Sequence, residues 1–415
     1  MPHMQHRALD LLRRPDFRRL YLAVAISELG DAFHYIALMW VALIEGGPLG
    51  VMAVRLADSV PALVFGLHGG IAADRWNRKR TMIGADLARG AILIPVAAAG
   101  LTGTLPLWGL VVAAFLLQTA TAYFTPAYGA LLPSLVDRSN AQQANGLVGA
   151  TANALAIGGW AAAAGVLALV PISTFFALNA ASFLLSAALI SRIRRTASTA
   201  TVGAQVPRLR EAFATLRPLP GLAVGVVVLG LAVTISAGVW IAGVPELVRT
   251  TLHRDAGGFS LIMVGYATGA ITAGALLARF PVRNKIRASL LAWALYLPAY
   301  GVFAVTASLQ IAMAGALVAG VSQSAVSILL TSAAQERVAD DVLGRVMGMI
   351  ALVDRGAHAT GLLLITPLFA IFAPASMFAA AAVAIPLLGV AGAALAHRLE
   401  GRVSGRRHEI REVSL

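Results

Sequence analysis

Residues 70–80 read Gly-Ile-Ala-Ala-Asp-Arg-Trp-Asn-Arg-Lys-Arg and separate two apolar stretches, 50–72 and 81–101. Each stretch is long enough to cross a bilayer, because about 20 apolar residues in a helix span its ~30 Å hydrocarbon core. The cationic side chains at the end of this segment mark a short connection on one face of a membrane. The rest of the chain repeats the pattern of apolar stretches joined by basic connections.

The composition of the whole chain is typical of a helical membrane protein. Of the 415 residues, 59% are hydrophobic and 12% are charged, and the mean hydropathy is +0.80. Soluble proteins are roughly 45–50% apolar and about a quarter charged, so a soluble enzyme is excluded. The apolar stretches are continuous, as in 363–372 and 377–395, whereas the strands of a membrane barrel alternate apolar and polar residues.

Twelve transmembrane helices in two pseudo-symmetric halves are predicted. The spans, numbered 1 to 12, are 18–43, 50–72, 81–101, 106–132, 144–170, 173–191, 221–247, 259–280, 288–306, 309–333, 343–371 and 375–397. A basic linker at 192–220 with six arginines divides an N-terminal half, 1–191, from a C-terminal half, 221–397, which a tail at 398–415 follows. Gly70 and Arg75 recur as Gly274 and Arg279, which indicates a duplication.

The distribution of basic residues predicts the orientation. With the N terminus in the cytoplasm, 27 of the 32 Lys and Arg residues lie in cytoplasmic segments, as the positive-inside rule requires. Both termini are therefore expected in the cytoplasm. The net charge of +13 does not indicate a nucleic-acid partner, because the cations lie between the spans rather than along one soluble face.

Several segments carry a resemblance to a known family. The loop 70–80 resembles the signature loop of the major facilitator superfamily, and four other segments resemble its drug:proton antiporter branch, which includes macrolide efflux proteins and the enterobactin exporter. These segments are 17–20, 27–31, 126–136 and 343–346. The resemblance implies a secondary transporter of the bacterial inner membrane that exports a drug-like compound or a secreted metabolite such as a siderophore. It also implies proton antiport with alternating access between outward and inward states.

One departure from the family pattern keeps alternatives open. Residues 158–161 read Gly-Gly-Trp-Ala, where antiporters of this superfamily usually carry a Gly-Pro pair. An uncoupled or differently coupled carrier of metabolites or lipids is therefore the first alternative. A non-transporting membrane receptor built on a carrier fold is the alternative from a different class.

Proton coupling is predicted at Asp31 and Glu28 of span 1. These residues and Tyr35 share a helix face about 60° wide, with Glu28 ~15 Å and Asp31 ~20 Å into the membrane. Carboxyl groups are costly there, so their presence indicates function, and two of them one turn apart do not both stay ionised. The structural alternative is that Asp31 caps a bend after Gly30, while Glu28 pairs with an arginine.

Three further sets of residues are predicted in or near the spans. The substrate cavity is assigned to Tyr35, Trp40, Gln118, Tyr123, Trp240, Gln323, Asp354 and His358. Buried ion pairing is assigned to Arg55, Asp58, Asp86, Arg89 and Arg355. A cytoplasmic gate, where the resemblance brings spans 2 and 11 together, is assigned to Gly70, Asp74, Arg75, Arg78, Lys79 and Arg345. Packing is the alternative for the aromatic residues, and buried pairing is the alternative for Asp354 and His358.

The sequence indicates no cofactor, metal or enzymatic activity. It has no Gly-rich phosphate loop followed by Lys-Ser/Thr, so ATP is not the direct energy source. It has no cysteine, which excludes disulfides and Cys-ligated metals, and its histidines lack acidic partners at metal-ligand spacing. The expected partners are a small-molecule substrate, protons and the lipid bilayer, and the expected functional form is a monomer.

Overall fold

The computed structural model describes residues 11–136, 140–194, 216 and 218–413, which are helical with short connections and contain no strand. Most of the predicted linker 192–220 lies outside the described residues, as do the last two residues of the tail. Within these ranges, the described residues do not include the side chains of some positions, among them Asp74 and Arg345. The full set of these positions is 63, 67, 73, 74, 141, 142, 340, 341, 344, 345 and 403–413.

Spans 1 and 2 lie in a single 61-residue helix, Pro15–Arg75, that is broken at Gly47. A straight helix of this length would measure about 90 Å, three times the thickness of a bilayer core. Gly47 has φ 59° and ψ −157°, a conformation that is essentially restricted to glycine. A Cβ on Gly50 would overlap the carbonyl oxygen of Ala42, whereas eight residues of straight helix cover ~12 Å. The chain therefore turns back on itself, and span 1 (15–46) and span 2 (48–75) form a helical hairpin.

The remaining spans follow as separate helices. They are Arg78–Leu101, Leu107–Leu131, Ala141–Val166, Thr174–Ser191, Pro220–Thr250, Ala256–Arg279, Lys285–Val305, Leu309–Arg337, Asp340–Leu364 and Pro374–Val413. Span 9 (Lys285–Val305) contains a 3-10 turn, Trp293–Leu295. Eleven helices of the described ranges are long and apolar enough to cross a membrane, and the first holds two spans. The predicted twelve-helix fold is confirmed.

Most helix ends lie within four residues of the prediction, and the ends of spans 5, 11 and 12 show why some differ. Span 5 ends at Val166 rather than at residue 170, and a turn leads to Pro171. Span 11 ends at Leu364 rather than at residue 371, because Pro367 cannot donate the hydrogen bond that an α-helix would need. Span 12 continues to Val413, sixteen residues past the predicted end, since the polar segment that follows residue 397 contains no proline and is compatible with a helix.

The chain divides into two compact units, each built on its own helix contacts. Unit 1 comprises Met1–Ala204 and Ala256–Leu261, and unit 2 comprises Gln205–Asp255 and Ile262–Leu415. In unit 1, a buried cluster joins Phe17 and Leu20 at the start of span 1 to Leu131 and Leu135 after span 4 and to Ile190 of span 6. This cluster fixes the ends of three helices whose polar side chains meet deeper in the unit.

Spans 8 and 10 of unit 2 pack with their backbones in direct contact. A Cβ on Gly320 of span 10 would overlap the carbonyl oxygen of Tyr266 of span 8, so only glycine permits this approach. Small residues at helix interfaces are the usual means of close packing in membranes. The contact holds the polar side chains that follow Gly320 on span 10 next to Tyr266.

Candidate functional site

A polar cavity of about 270 Å³ lies among the helices of unit 1. We call it the unit 1 cavity. Spans 1 to 6, except span 5, each contribute to its lining. Its polar and ionisable lining residues are Asp31, His34, Tyr35, Arg55, Asp58, Arg89, Gln118, Thr121 and Asn179. It therefore contains two carboxylates and two guanidinium groups within a segment that the apolar helices place inside the membrane.

Asp31 accepts a hydrogen bond from a neutral side chain. Asn179 Nδ2 of span 6 donates to Asp31 Oδ1 over 3.0 Å, and Ser182 Oγ donates to Asn179 Oδ1 over 2.9 Å. A Cβ on Gly30 would lie 2.5 Å from Asn179 Oδ1, so the glycine allows span 6 to come this close. Among the described residues, no cationic side chain forms an ion pair with Asp31.

The other carboxylates near this cavity are paired with arginines. Asp58 Oδ2 lies 2.6 Å from Arg55 Nη1 on the same face of span 2, and both side chains are half-buried. Asp86 of span 3 accepts a hydrogen bond from Arg89 Nη2, and their side chains are 0% and 6% exposed. Ser186 Oγ donates to the second oxygen of Asp86 over 2.6 Å. Because each arginine has its own carboxylate, Asp31 is left without a cationic partner.

Arg89 is both a pairing residue and a cavity residue. From the sequence, Arg89 is assigned only to buried ion pairing. In the structure Arg89 lines the same cavity as Asp31, and its guanidinium carbon lies 4.3 Å from the ring centres of both Phe124 and Phe183. Its Nε is buried without a hydrogen-bond partner. The pair with Asp86 therefore places a positive charge at the wall of the Asp31 cavity.

The remaining predicted residues of unit 1 lie in different places. Tyr35 and Gln118 line the unit 1 cavity, whereas half-buried Glu28 is not among its lining residues. Trp40 is buried in the core, 9% exposed, and is not a lining residue either. Tyr123 lines a different cavity of unit 1, near the end of span 2. Its hydroxyl lies 2.9 Å from His68 Nδ1. The structure thus does not place Glu28, Trp40 or Tyr123 in the lining of the unit 1 cavity.

Span 6 supplies polar residues of the candidate site that the sequence analysis does not single out. Asn179 contacts Asp31, Ser186 contacts Asp86, and Ser182 orients Asn179. All three polar side chains are buried. Their spacing of three and four residues places them on one face of an otherwise apolar helix. This spacing is the feature of the sequence from which they could have been identified.

A second cavity, of about 460 Å³, lies within unit 2. We call it the unit 2 cavity. Asp354 and His358 of span 11 and Gln323 of span 10, which the sequence assigns to the substrate cavity, line it together with Tyr266 of span 8. His358 Nδ1 lies 2.8 Å from the carbonyl oxygen of Asp354 and 3.6 Å from its carboxylate. Three hydroxyl side chains of span 10, at positions 324, 327 and 331, complete the polar lining.

Two predicted residues of unit 2 do not line this cavity. Arg355 was predicted in a buried pair, but its side chain is exposed and does not line the cavity, because it is turned about 100° around the helix from Asp354. Trp240, which the sequence assigns to the substrate cavity, does not line the unit 2 cavity and packs against aromatic rings. Its ring centre lies 5.0 Å from that of Tyr266 and 5.8 Å from that of Phe303.

The gate residues are described only in part. Lys79 Nζ donates to the carbonyl oxygen of Ile193 over 2.7 Å, and Arg78 Nη1 donates to that of Ala130 over 3.3 Å. The basic loop therefore ties the start of span 3 to the ends of spans 4 and 6. Arg75 is exposed and Gly70 is half-buried within span 2. The side chains of Asp74 and Arg345 lie outside the described residues, and the gate stays a prediction.

Within the described ranges, no group of three His, Cys, Asp or Glu side chains is arranged to hold a metal ion.

Twelve apolar helices that enclose a polar, charged cavity in each of two units define a polytopic transporter. Residues 7–403 match the model of a protein family that is described as transmembrane secretion effector. The chain belongs to this family of the major facilitator superfamily, and the predicted resemblance is confirmed.

Relatives and solved structures agree with this assignment. Macrolide efflux protein A of Streptococcus pyogenes is 25% identical over 364 residues, which cover 84% of this chain and 88% of that protein. The protein of the same name from Enterococcus faecalis is 25% identical over 331 residues, or 76% of this chain and 100% of that protein. The crystal structure of nucleoside transporter NupG superposes with a TM-score of 0.71 at 14% identity, over 92% of this chain and 98% of that chain, which shows the shared fold.

Proposed function

We propose that the protein exports a small organic molecule across the bacterial inner membrane by proton antiport with alternating access. The exported molecule is a drug-like compound or a secreted metabolite. Two relatives at 25% identity are named for macrolide efflux, which supports export of bulky organic compounds. In this proposal both termini lie in the cytoplasm, and Asp74 and Arg345 contribute to the cytoplasmic gate.

The pairing of charges around the unit 1 cavity carries the proposal of proton coupling. Arg55 forms an ion pair with Asp58 and Arg89 forms one with Asp86. Asp31 forms no ion pair with a described residue, although Arg89 lines the same cavity, and it accepts a hydrogen bond from the amide of Asn179. An ionised side chain in the bilayer core costs about 2.5–3.5 kcal/mol on insertion scales. Asp31 therefore gains more from taking up a proton than the two paired carboxylates do, and it is the proposed proton carrier.

The hydrogen bonds of Asp31 suit both protonation states. With Asp31 ionised, Asn179 Nδ2 donates to the carboxylate, as in the structure. With Asp31 protonated, a rotated amide would present its oxygen to the carboxyl hydrogen, and the hydroxyl of Ser182 can then accept from the amide nitrogen, because it both donates and accepts. Glu28, one turn earlier on span 1 and half-buried, is the second proposed proton-carrying group.

Proton release from inverted membrane vesicles tests this function. The vesicle interior is acidified, a pH-sensitive dye is enclosed, and erythromycin is added outside. We expect the compound to make the interior alkaline faster with the wild type than with Asp31→Asn, because passive entry of this weak base takes up protons equally in both. Glu336→Gln is the matched control, because it removes an exposed carboxylate at the end of span 10, outside both cavities.

Two outcomes contradict parts of the proposal. An undiminished response in Asp31→Asn would exclude this residue as the proton carrier. Accumulation of radiolabelled erythromycin by the wild type without any proton movement would identify the protein as an uncoupled carrier.

A further inference from the structure

We propose that the unit 2 cavity binds the protonated amine of the exported molecule, with Asp354 as its counter-ion. The polar stripe of span 10 (Gln323, Ser327 and Thr331) would bind hydroxyl groups of the same molecule. The exported class is then a hydroxyl-bearing organic cation. This inference rests on the proposed function, and it assigns the charge of the cargo and the proton to carboxylates in different units.

The charge of the cavity favours a cation. Asp354 is the one carboxylate among the described lining residues, and no lysine or arginine lines the cavity. The Asp354 side chain is 38% exposed, and its carboxylate is 3.6 Å from His358 Nδ1, which is beyond hydrogen-bond distance. That nitrogen lies instead 2.8 Å from the main-chain carbonyl of Asp354. The carboxylate oxygens therefore accept no hydrogen bond from the described residues and are available to a ligand.

The neighbouring arginine does not cancel this charge. Arg355 follows Asp354 directly, but its side chain is exposed and lies outside the cavity lining. In unit 1, by contrast, Asp58 and Asp86 each have an arginine three residues away on the same helix face. Spacing of one residue on a helix separates two side chains by about 100°, whereas spacing of three brings them together. The sequence thus places Asp354 without an arginine on its own face of span 11.

The polar stripe of span 10 favours hydroxyl groups on the cation. Its residues are four positions apart, so their side chains follow one helix face over about 12 Å. Tyr296 donates to Gln323 Oε1 over 3.1 Å, which fixes the amide and leaves its NH₂ group free to donate. The hydroxyls of Ser327 and Thr331 have no hydrogen-bond partner in the described part of the chain, and both residues line the cavity.

The apolar part of the cavity and its size suit an amphiphilic molecule. Leu229, Met347 and Ile350 line it beside the polar residues, and Tyr266 adds an aromatic ring that can contact a cation through its face. A volume of about 460 Å³ lies within the usual range of small-molecule sites, roughly 300–1,000 Å³. It accommodates an amino sugar and its neighbouring atoms rather than a whole macrolide.

Equilibrium binding to the purified full-length protein at pH 7 tests the inference with three probes. Erythromycin is a cation with hydroxyl groups next to its amine, its N-oxide is neutral overall, and tetraphenylphosphonium is a cation without hydroxyls. We expect the wild type to bind erythromycin at least tenfold more tightly than the N-oxide. Asp354→Asn should lose at least tenfold in affinity for both cations, and Asp354→Glu should recover most of it.

The stripe and the control are tested in the same assay. The double variant Ser327→Ala/Thr331→Val should weaken erythromycin binding about fivefold and leave tetraphenylphosphonium binding unchanged. Glu336→Gln removes the same charge from the end of span 10 outside the cavity and should bind both cations as the wild type does. Monodisperse elution and an unchanged melting temperature confirm that each variant is folded.

The inference fails if Asp354→Asn binds both cations as tightly as the wild type, if the wild type binds the N-oxide as tightly as erythromycin, or if it binds none of the probes. It also fails if Asp31→Asn rather than Asp354→Asn loses the binding, although proton antiport would then still stand. Conversely, Asp354-dependent binding without proton movement in vesicles would overturn the proposed antiport and leave the cation site intact.

Discussion

Replacement of Arg89 by methionine is a direct test of the buried charges of unit 1. Methionine keeps much of the length of the side chain and its apolar contact with Phe124 and Phe183, but removes the guanidinium that lies 4.3 Å from both ring centres. Asp86, which is 0% exposed, would then retain only the hydroxyl of Ser186 as a partner. The substitution therefore leaves an uncompensated carboxylate in the core.

The expected cost follows from this burial. Breaking a buried ion pair by removing one partner destabilises a protein by about 3–5 kcal/mol, and we expect Arg89→Met to lower the free energy of unfolding by about 4 kcal/mol at pH 7.5. The carboxyl group can relieve the loss by taking up a proton, which the unfolded chain does not bind at that pH. The cost should therefore fall as the pH falls, by about 1.4 kcal/mol for each pH unit.

Denaturant titration in mild detergent, followed by tryptophan fluorescence, measures these free energies. Arg89→Met/Asp86→Asn should recover more than half of the loss, because the asparagine leaves no charge and still accepts from Ser186. Arg249→Met is the matched control, since it breaks an ion pair of the same spacing at a 40% exposed arginine, where such pairs contribute about 0–1 kcal/mol. A loss below about 1 kcal/mol for Arg89→Met, or no recovery in the double variant, would refute the reasoning.

Three glycine substitutions test the helix packing and the chain reversal in unit 1. A Cβ on Gly159 would lie 2.5 Å from Ala32 Cβ, whereas a Cβ on Gly158 meets nothing within 4 Å. Gly159→Ala should therefore cost about 1–3 kcal/mol of stability, and Gly158→Ala should not destabilise the protein. Melting temperatures measure both effects, and equal effects would contradict the packing of span 5 on span 1. Gly47→Ala should cost at least about 1–3 kcal/mol, because its φ of 59° and ψ of −157° exclude other residues. Wild-type thermal stability in that variant would contradict the reversal at this residue.

The sequence predicts the fold well because the membrane imposes a simple pattern. The spans follow from runs of apolar residues, and Gly46, Gly47 and Pro48 mark the reversal between spans 1 and 2. The ends were less predictable where a proline shortens a helix, as after Leu364, or where a polar helix continues beyond the apolar residues, as after residue 397.

The sites were predictable only in part, because the sequence does not say which neighbour a helix face meets. Asp31 and Asp354 were selected as rare carboxylates in apolar spans, and both line cavities. Arg89 received only a pairing role, since its place at the cavity wall depends on how span 3 packs against span 4 and span 6. Trp240 was assigned to the cavity as an aromatic residue, but it contacts Tyr266 and Phe303 and does not line the unit 2 cavity.

The short reversal at Gly47 has a consequence for how the chain enters the membrane during synthesis. Arg55 and Asp58 in span 2 would each make insertion of that helix alone expensive. Only the residues around Gly47 separate the two helices, so span 2 leaves the ribosome directly behind span 1. The hairpin can therefore enter the bilayer as one piece, with its arginine and carboxylate already matched.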